Sequence, residues 1–155
     1  IVDVDGLSPV AFAALPRSYY IILQHRNHLR VMGLDPLALT TAPALLDLTS
    51  ASTANYGSAA QASQDGMQAL WTGDVNGDGI VKYTGAGNDR DVVLFAIGGS
   101  VPTATVAGYA VTDVNLDGTT KYTGANNDRD PMLQTIGGAV PTAVRQAQLP
   151  ELSPP

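Results

Sequence analysis

The chain has 155 residues, a length that allows one ordinary domain or two small ones. Hydrophobic residues make up 45% of it and charged residues only 14%, which is typical of a folded protein rather than a disordered one. A net charge of −6 argues against nucleic acid or an anionic membrane surface as a partner. The sequence has no cysteine, which excludes disulfides and thiolate chemistry, and no run of about 18 apolar residues that would predict a membrane span.

Residues 1–65 are predicted to form a small antiparallel β-sandwich, or part of one. The strongest strand pattern lies at residues 18–28, which are rich in aromatic and β-branched side chains, and residues 45–48 predict another strand. Residues 1–6 contain alternating apolar and acidic side chains and end in an Asp-Gly turn signal, as if the sequence began within a strand. We therefore expect the chain to be a fragment or a processed subunit. A sandwich that lacks an edge strand could accept one from a neighbouring subunit and polymerise.

The second half contains one motif written twice. Residues 74–102 read DVNGDGIVKYTGAGNDRDVVLFAIGGSVP and residues 113–141 read DVNLDGTTKYTGANNDRDPMLQTIGGAVP, with shared positions offset by 39 residues. This spacing indicates a tandem duplication, so we assign residues 66–150 to a tandem loop–helix repeat module and residues 151–155 to a tail. The module thus begins at residue 66, where the pattern of residues 66–71 predicts a helical turn.

Each repeat is predicted to contain one short helix. The helices start near residues 89–91 and 128–130, and the Gly-Gly pairs at 98–99 and 137–138 end them. Pro131 fits the first helical position of the second copy, with Asp130 as its N-cap. Two-turn helices are marginal alone, so we expect the repeats to pack against each other. The apolar faces that would meet are formed by Val93, Leu94 and Ile97 in the first copy and by Met132, Leu133 and Ile136 in the second.

Each repeat opens with Asp-x-Asn-x-Asp-Gly, in which short oxygen-bearing side chains alternate before a glycine that permits a sharp turn. This pattern is how a chain wraps a hard divalent cation, and calcium, which takes six to eight oxygens in a flexible shell, fits it best. The candidate ligands are Asp74, Asn76, Asp78 and the Ile80 carbonyl in the first loop, and Asp113, Asn115, Asp117 and the Thr119 carbonyl in the second.

The loops depart from the EF-hand pattern at their far end. An EF-hand loop has a bidentate acid at its twelfth place, where this chain has Gly85 and Gly124. A later acid must therefore close each calcium shell, and the sequence leaves two choices open in each copy. These choices are Asp89 or Asp91 in the first copy and Asp128 or Asp130 in the second.

The acidic residues suit this interpretation. Thirteen of the fourteen are Asp, and eight of the fourteen lie in the two repeats, whereas a solvated helical surface would favour Glu. Two bound divalent ions would change the net charge from −6 to −2. Magnesium prefers a tighter octahedron, and zinc is disfavoured by a donor set of hard oxygens without cysteine. We therefore predict two Ca²⁺ sites.

Other polar residues receive structural interpretations. Tyr83 and Tyr122 are predicted to pack their rings over the loops, and Arg90 and Arg129 to balance loop charge. Residues 25 and 28 are both histidines, which on a strand would point to opposite faces, so we expect ordinary hydrogen-bonded or solvated side chains there. The sequence lacks a Gly-x-Ser-x-Gly elbow, a phosphate-binding glycine loop and a His-Glu-x-x-His motif, so we predict that the chain is not an enzyme.

Two resemblances follow from these motifs. The paired Asp-x-Asn-x-Asp-Gly loops, each followed by a short helix, resemble the duplicated calcium loops of dockerin type I modules, although the KYTGAGNDRD extension departs from that pattern. More closely, HRNHLRVMG followed by ALWTGDVNGDG, KYTG, NDRD, IGG and VPT resembles the C-terminal region of large secreted Bacteroidota surface proteins exported by a type IX route, over residues 18–150. This resemblance implies an extracellular, calcium-rigidified module within a longer polypeptide.

The fold class predicted is therefore α+β, a small antiparallel sandwich followed by a duplicated, dockerin-like calcium loop–helix module. We predict a structural or adhesive module of an extracellular cell-surface or filament protein, whose partners are other domains of the same polypeptide or neighbouring subunits. Two alternatives remain open: a dockerin-like module that docks onto a protein scaffold, and a calcium-dependent carbohydrate-binding unit that uses Tyr83 and Tyr122.

Overall fold

The computed structural model describes residues 5–151, which form small antiparallel β-sheets and two short helices, broadly an α+β arrangement. Neither helix is long and apolar enough to cross a membrane. The elements in chain order are β1 (Arg17–Tyr19), β2 (Ile22–Leu23), β3 (Val31–Met32), β4 (Leu37–Leu39), β5 (Gln61–Gln64), β6 (Met67–Leu70), β7 (Ile80–Lys82), α1 (Asp89–Ala96), β8 (Thr105–Ala107), β9 (Thr119–Lys121), α2 (Arg129–Thr135) and β10 (Val144–Gln146).

The strand predicted at residues 18–28 is broken into pieces that pair with different partners. β1 pairs with β4 and β2 pairs with β3, and the chain then turns at residues 25–28. Residues 45–48 form no strand. Each sheet within residues 5–151 holds two strands, so the expected sandwich of larger sheets is not seen in this region. Residues 1–4, where the sequence predicts a strand, lie outside the described part of the chain.

The helical turn predicted at residues 66–71 is wrong, because this segment is strand β6, paired with β5. Asp65 and Gly66 connect the two strands and have φ angles of 52° and 81°. Two consecutive residues with positive φ are what a two-residue type I′ hairpin requires, and Asp-Gly is a favoured pair for it. The hairpin signal therefore outweighed the helical spacing of Met67, Leu70 and Trp71.

The helices end as predicted at the Gly-Gly pairs. Gly98 donates its N–H to the Phe95 carbonyl and Gly99 donates to Leu94, and the equivalent pair ends α2 in the same way. These bonds form a Schellman motif, which requires positive φ at the first glycine, and Gly98 has a φ of 104°.

The start of α2 differs from the prediction. This helix begins at Arg129, so Pro131 occupies its third position and Asp130 is not the N-cap. The Asn127 side chain accepts the Asp130 N–H at 3.1 Å, and Asn88 caps α1 by accepting the Asp91 N–H at 2.9 Å. An asparagine that precedes the acids in both repeats therefore performs the capping role.

The two repeats exchange strands in a reciprocal way. β10, which follows α2, pairs with β7 of the first repeat, and β8, which follows α1, pairs with β9 of the second. The two registers become the same when one is shifted by 39 residues. Thr84 donates its hydroxyl to the Pro141 carbonyl, and its counterpart Thr123 donates to Pro102, each at 2.9 Å. Each repeat thus supplies a strand to the other, as in a two-fold symmetric pair.

The larger hydrophobic core lies between the repeats. It combines apolar side chains from both loops and both helices with Leu29 from the N-terminal half, so the predicted packing of one repeat on the other is confirmed. Its buried members are Leu29, Val75, Val81, Val93, Val114, Met132 and Ile136, with Leu133 packed against them. Ile97 is also buried, whereas Leu94, which was predicted to share this face, is not among the side chains packed against the core and Val92 takes its place. A smaller hydrophobic cluster of Val31, Leu48 and Ala60 lies in the N-terminal half of the chain.

Candidate metal centre

The first Asp-x-Asn-x-Asp-Gly loop is wound by its own side chains. Asp74 Oδ2 accepts the Gly79 N–H at 3.1 Å, Asn76 Oδ1 accepts the Asp78 N–H at 2.9 Å, and Asp78 Oδ1 accepts the Ile80 N–H at 2.8 Å. Short side chains that bond the backbone two or more residues ahead hold the chain in a tight turn. The three predicted side-chain ligands are thereby brought to one loop.

The second loop repeats these bonds. Asp113 Oδ2 accepts the Gly118 N–H at 3.1 Å, Asn115 Oδ1 accepts the Asp117 N–H at 3.0 Å, and Asp117 Oδ1 accepts the Thr119 N–H at 2.9 Å. The backbone geometry of the predicted loops is therefore the same in the two repeats.

One position of the loop is occupied differently in the two copies. Gly77 has a φ of 75°, and its counterpart Leu116 has a φ of 63°. A residue with a Cβ costs roughly 1–2 kcal/mol in this left-handed region, whereas glycine enters it without strain. The Leu116 side chain is also partly exposed, so it contributes little packing in return.

We therefore expect Leu116→Gly to stabilise the protein, although glycine also raises the entropy of the unfolded chain. The net gain should be about 0.5–1 kcal/mol, measured as a higher midpoint in urea unfolding with an unchanged slope. The reverse change, Gly77→Leu, should cost a similar amount. A destabilised Leu116→Gly variant would show that the leucine contributes more by packing than it costs in strain.

The carbonyls of Ile80 and Thr119 point away from the strands that pair with them. The Gly79 carbonyl accepts the Ala147 N–H, and the Gly118 carbonyl accepts the Gly108 N–H. Because backbone groups alternate in direction along an antiparallel strand, the next carbonyl in each copy points to the opposite side. The Ile80 N–H, which points the same way, donates to Asp78. The predicted carbonyl ligands therefore face their loops.

Asp89 and Asp128 anchor the loops from the helix starts. Asp89 Oδ1 accepts the N–H groups of Val75 at 2.9 Å and Asn76 at 3.3 Å, and Oδ2 accepts the Lys82 N–H at 2.8 Å. Asp128 makes the corresponding three bonds in the second repeat, at 2.6, 3.2 and 2.6 Å. Both carboxylates are fully buried. Each acid ties the two ends of its loop to its helix, a role that spacing alone did not reveal.

Asp91 and Asp130 are turned toward the capping asparagines. Asp91 Oδ2 accepts the Asn88 Nδ2–H at 2.9 Å, and Asp130 Oδ2 accepts the Asn127 Nδ2–H at 2.8 Å. Asp130 also lines an open concavity together with ligand candidates of the second loop, Asn115 and Asp117. Asp89 and Asp128 thus contact the backbone of their loops, whereas Asp91 and Asp130 lie on the solvent side of the loops.

Asp74 carries a buried oxygen that is not satisfied by the protein. The residue is 5% exposed, and its Oδ1 has no hydrogen-bond partner within residues 5–151. A buried, unpaired carboxylate oxygen costs free energy unless a cation or another donor reaches it. Burial raises the pKa of Asp74, and the nearby Asp78 carboxylate adds to this effect.

The donor set of each loop consists of hard oxygens, which fits calcium. In each loop the candidate ligands combine carboxylate, amide and carbonyl oxygens. Among the described residues, no three acidic or histidine side chains lie close enough together to share an ion. The first loop provides the sharper indication of a cation, because of the unpaired Asp74 Oδ1.

Burial also raises the pKa of Asp128, and it raises that of Asp89 to about 6 against the opposing effect of its three N–H bonds. A raised pKa means that the ionised form is disfavoured, so the Asp89 contribution to stability increases as pH falls from about 6 toward 3.8. Burial lowers the pKa of His28 to about 4. Because the unfolded chain protonates this histidine more readily, His28 makes the folded protein less stable as pH falls from 6.5 toward 4. The two effects oppose each other in the calcium-free protein.

Proton release on cation binding would distinguish the titration of Asp89 from that of His28. If the first loop binds calcium, the ion would favour ionised Asp89, and binding at pH 6 would then release about half a proton from this group. We expect a binding enthalpy that depends on the ionisation enthalpy of the buffer at pH 6 and not at pH 8, with weaker apparent affinity at the lower pH. Calorimetry in two buffers at each pH measures this, and equal buffer dependence at both values would contradict it.

The two repeated tyrosines are covered by arginines. The Arg90 guanidinium lies 5.2 Å from the Tyr83 ring centroid, and the Arg129 guanidinium lies 4.4 Å from that of Tyr122. Both rings are partly buried and pack against the larger core. The rings are therefore packed against the core and beneath the arginine side chains, and their predicted position over the loops stays a prediction. Arg90 also pairs with Asp91 at 3.5 Å.

His25 and His28 do not point to opposite faces, which corrects the strand-based expectation. They flank a turn at residues 26–27 and do not share a strand, although His28 forms an isolated bridge with Thr72. Their Nδ1 atoms are 2.8 Å apart, with ring centroids at 4.6 Å. His28 Nδ1 also lies 2.8 Å from Asn27 Oδ1. The expectation of hydrogen-bonded histidines agrees with these contacts.

Residues next to these histidines contact the second loop, a connection that sequence reasoning missed. Asn27 is fully buried and donates its Nδ2–H groups to the carbonyls of Val111 at 2.9 Å and Asp113 at 2.8 Å. Arg26 Nη2 lies 3.5 Å from Asp113 Oδ2. These contacts span more than 80 residues of sequence, and no local pattern reports them.

Comparisons with protein-family models, with curated proteins and with solved structures found no match to this chain.

Proposed function

We propose that this chain is a calcium-stabilised structural or adhesive module of an extracellular cell-surface or filament protein. In this proposal the second half is a duplicated calcium loop–helix module, and its partners are other domains of the same polypeptide or neighbouring subunits. No residue is assigned a catalytic role.

The buried, unpartnered Oδ1 of Asp74 within residues 5–151 is the observation that carries the proposal. It lies in a loop whose backbone turn is already held by hydrogen bonds to the side chains of Asp74, Asn76 and Asp78. Three buried carboxylates with raised pKa values add support, because a divalent ion would offset the cost of their ionised form: Asp74, Asp89 and Asp128.

Each ion would be held by the predicted oxygens of its loop, closed by one acid of the distal pair. Bound calcium would cross-link the loop to the start of its helix and so to the core between the repeats. This constraint could serve the chain as disulfides serve other secreted proteins, since it contains no cysteine. A rigid, calcium-dependent unit of this kind suits a load-bearing or spacing role in a surface protein.

Thermal unfolding in calcium, in magnesium and in excess chelator tests the proposal. Calcium binds only the folded state, so it should raise the melting temperature by about 10 °C or more at saturating concentration, and magnesium should do much less. The double variant Asp74→Asn with Asp113→Asn is the control and should lose the calcium response. Equal melting temperatures of the parent protein in calcium and chelator would refute the proposal.

The two alternatives remain predictions. The carbohydrate-binding alternative needs an open aromatic face, and the guanidinium groups over Tyr83 and Tyr122 occupy one face of each ring. The dockerin-like alternative needs a protein scaffold that recognises the helices, and the described part of the chain offers no feature that selects such a partner.

A further inference from the structure

The two loops share their sequence motif and the hydrogen bonds that hold their turns, but the bonds made by their first acid differ. Asp74 Oδ1 has no partner in the described part of the chain. Asp113 has both oxygens engaged: Oδ1 accepts the Asp117 N–H at 3.1 Å, and Oδ2 accepts from Gly118 at 3.1 Å and from Arg26 at 3.5 Å. The second loop therefore already holds a positive charge where the first loop does not.

Arg26 is held against the second loop by its neighbour. Asn27 is fully buried and donates to the carbonyls of Val111, just before the second loop, and of Asp113, its first residue, and its own carbonyl accepts the Gly73 N–H at 2.8 Å. These bonds fix the backbone from which Arg26 extends. The guanidinium also lies 5.7 Å from the Tyr109 ring centroid, which further limits its freedom. The ion pair is thus built into the fold, and its Asp113 carboxylate is fully buried.

The first loop has an arginine nearby that makes no such pair. An Arg30 nitrogen lies 3.5 Å from the position that a Cβ on Gly79 would take, and its positive charge favours ionised Asp74 weakly. Among residues 5–151, however, Arg30 forms no ion pair with an acidic side chain. The difference between the loops is therefore direct contact in one and only proximity in the other.

We propose that the two loops bind calcium with unequal affinity, and that Arg26 sets the weaker affinity of the second loop. A cation bound by Asp113 would lie within a few ångströms of the guanidinium, and like charges at that distance repel. Arg26 also competes for the carboxylate that the ion needs. The first loop, with a free oxygen on Asp74, fills first. This inference rests on the proposed calcium function.

Calorimetric titration of the full chain with calcium tests the inequality without altering Arg26. The parent protein should show two binding steps. Asp113→Asn should remove the weaker step and keep the stronger one, while Asp74→Asn should remove the stronger step. Two equal affinities in the parent protein, or loss of the stronger step in Asp113→Asn, would overturn the inference and leave the calcium function standing. Absence of calcium binding in the parent would instead defeat the proposed function.

Substitution of Arg26 tests its role directly. Arg26→Gln should strengthen the weaker step about tenfold or more and leave the stronger step unchanged, whereas Arg26→Lys, which keeps the charge, should change it much less. Arg17→Gln is the matched control for net charge, because this arginine lies over the Tyr19 ring in β1. An unchanged weaker step in a folded Arg26→Gln variant would overturn the role, as would an equal gain in Arg17→Gln.

Discussion

The Asp89→Ala variant is expected to lose on the order of 3–5 kcal/mol of unfolding free energy, the largest effect of a single substitution in the repeats. Alanine removes the acceptor for three N–H groups, those of Val75, Asn76 and Lys82, at a fully buried site. Each unsatisfied buried donor costs about 1–3 kcal/mol, and relief from burying a carboxylate returns only part of this. Urea unfolding in excess chelator measures the loss without any contribution from calcium.

Asp91→Ala provides the matched control, since it removes an acid two residues away in the same helix. That side chain is about half exposed and bonds the Asn88 amide rather than the loop, so we expect a loss of about 1 kcal/mol or less. Asp128→Ala should reproduce the large loss in the second repeat, where the same three bonds occur. Equal effects at Asp89 and Asp91 in chelator would contradict the anchoring role.

The second large effect is expected for Gly73→Ala. A Cβ at this position would lie 3.0 Å from Met132 Cγ, 3.1 Å from Val81 Cγ1 and 3.3 Å from Met132 Cα, at the centre of the larger core. Both neighbours are fully buried, and the contact with Met132 includes its backbone, so neither can simply move aside. The glycine also has a φ of 113°, which side chains rarely adopt. Overpacking and strain together should cost about 2–4 kcal/mol.

Gly77→Ala separates the two causes. This glycine has a φ of 75°, but nothing lies within 4 Å of the Cβ it would gain. The substitution should therefore show strain alone, about 1 kcal/mol. Both variants are compared by urea unfolding with the same slope. If Gly73→Ala cost no more than Gly77→Ala, the close approach of Met132 to the loop would not be a packing constraint.

The repeat half could be predicted from sequence because its signals are local. The Asp-x-Asn-x-Asp-Gly pattern sets its own turn through side-chain bonds within a few residues, and the Gly-Gly pairs end the helices by bonds of similarly short range. The core between the repeats followed from the apolar spacing of Val93 and Met132. The capping residue was misplaced, and the asparagine repeated before the acids of both copies was an available signal for it.

The N-terminal half was harder because its strands are two to four residues long, and β1 pairs with β4 rather than with β2, which follows it directly in the chain. Short strands carry too few residues to show a period, so residues 18–28 looked continuous although β1 and β2 have different partners. The Asp65-Gly66 turn was a usable signal that the helical spacing after it obscured.

For the site, spacing alone identified the loop oxygens but not the roles of Asp89 and Arg26. Asp89 is separated from the backbone groups it bonds by 7 to 14 residues, and Arg26 is separated from Asp113 by 87. Reciprocal strand exchange between the repeats also depends on contacts of this kind, such as β7 with β10. A duplicated motif predicts that two copies pack together, but not that each supplies a strand to the other.

Calorimetric titration of the chelator-stripped full chain with calcium tests directly whether both loops bind the ion. We expect a stoichiometry of two ions per chain, with the loss of one ion in Asp74→Asn and of one in Asp113→Asn. Absence of heat and of any change in melting temperature up to millimolar calcium would contradict it. The repeated loops would then be turns held by their own hydrogen bonds, and the buried oxygen of Asp74 would need another partner.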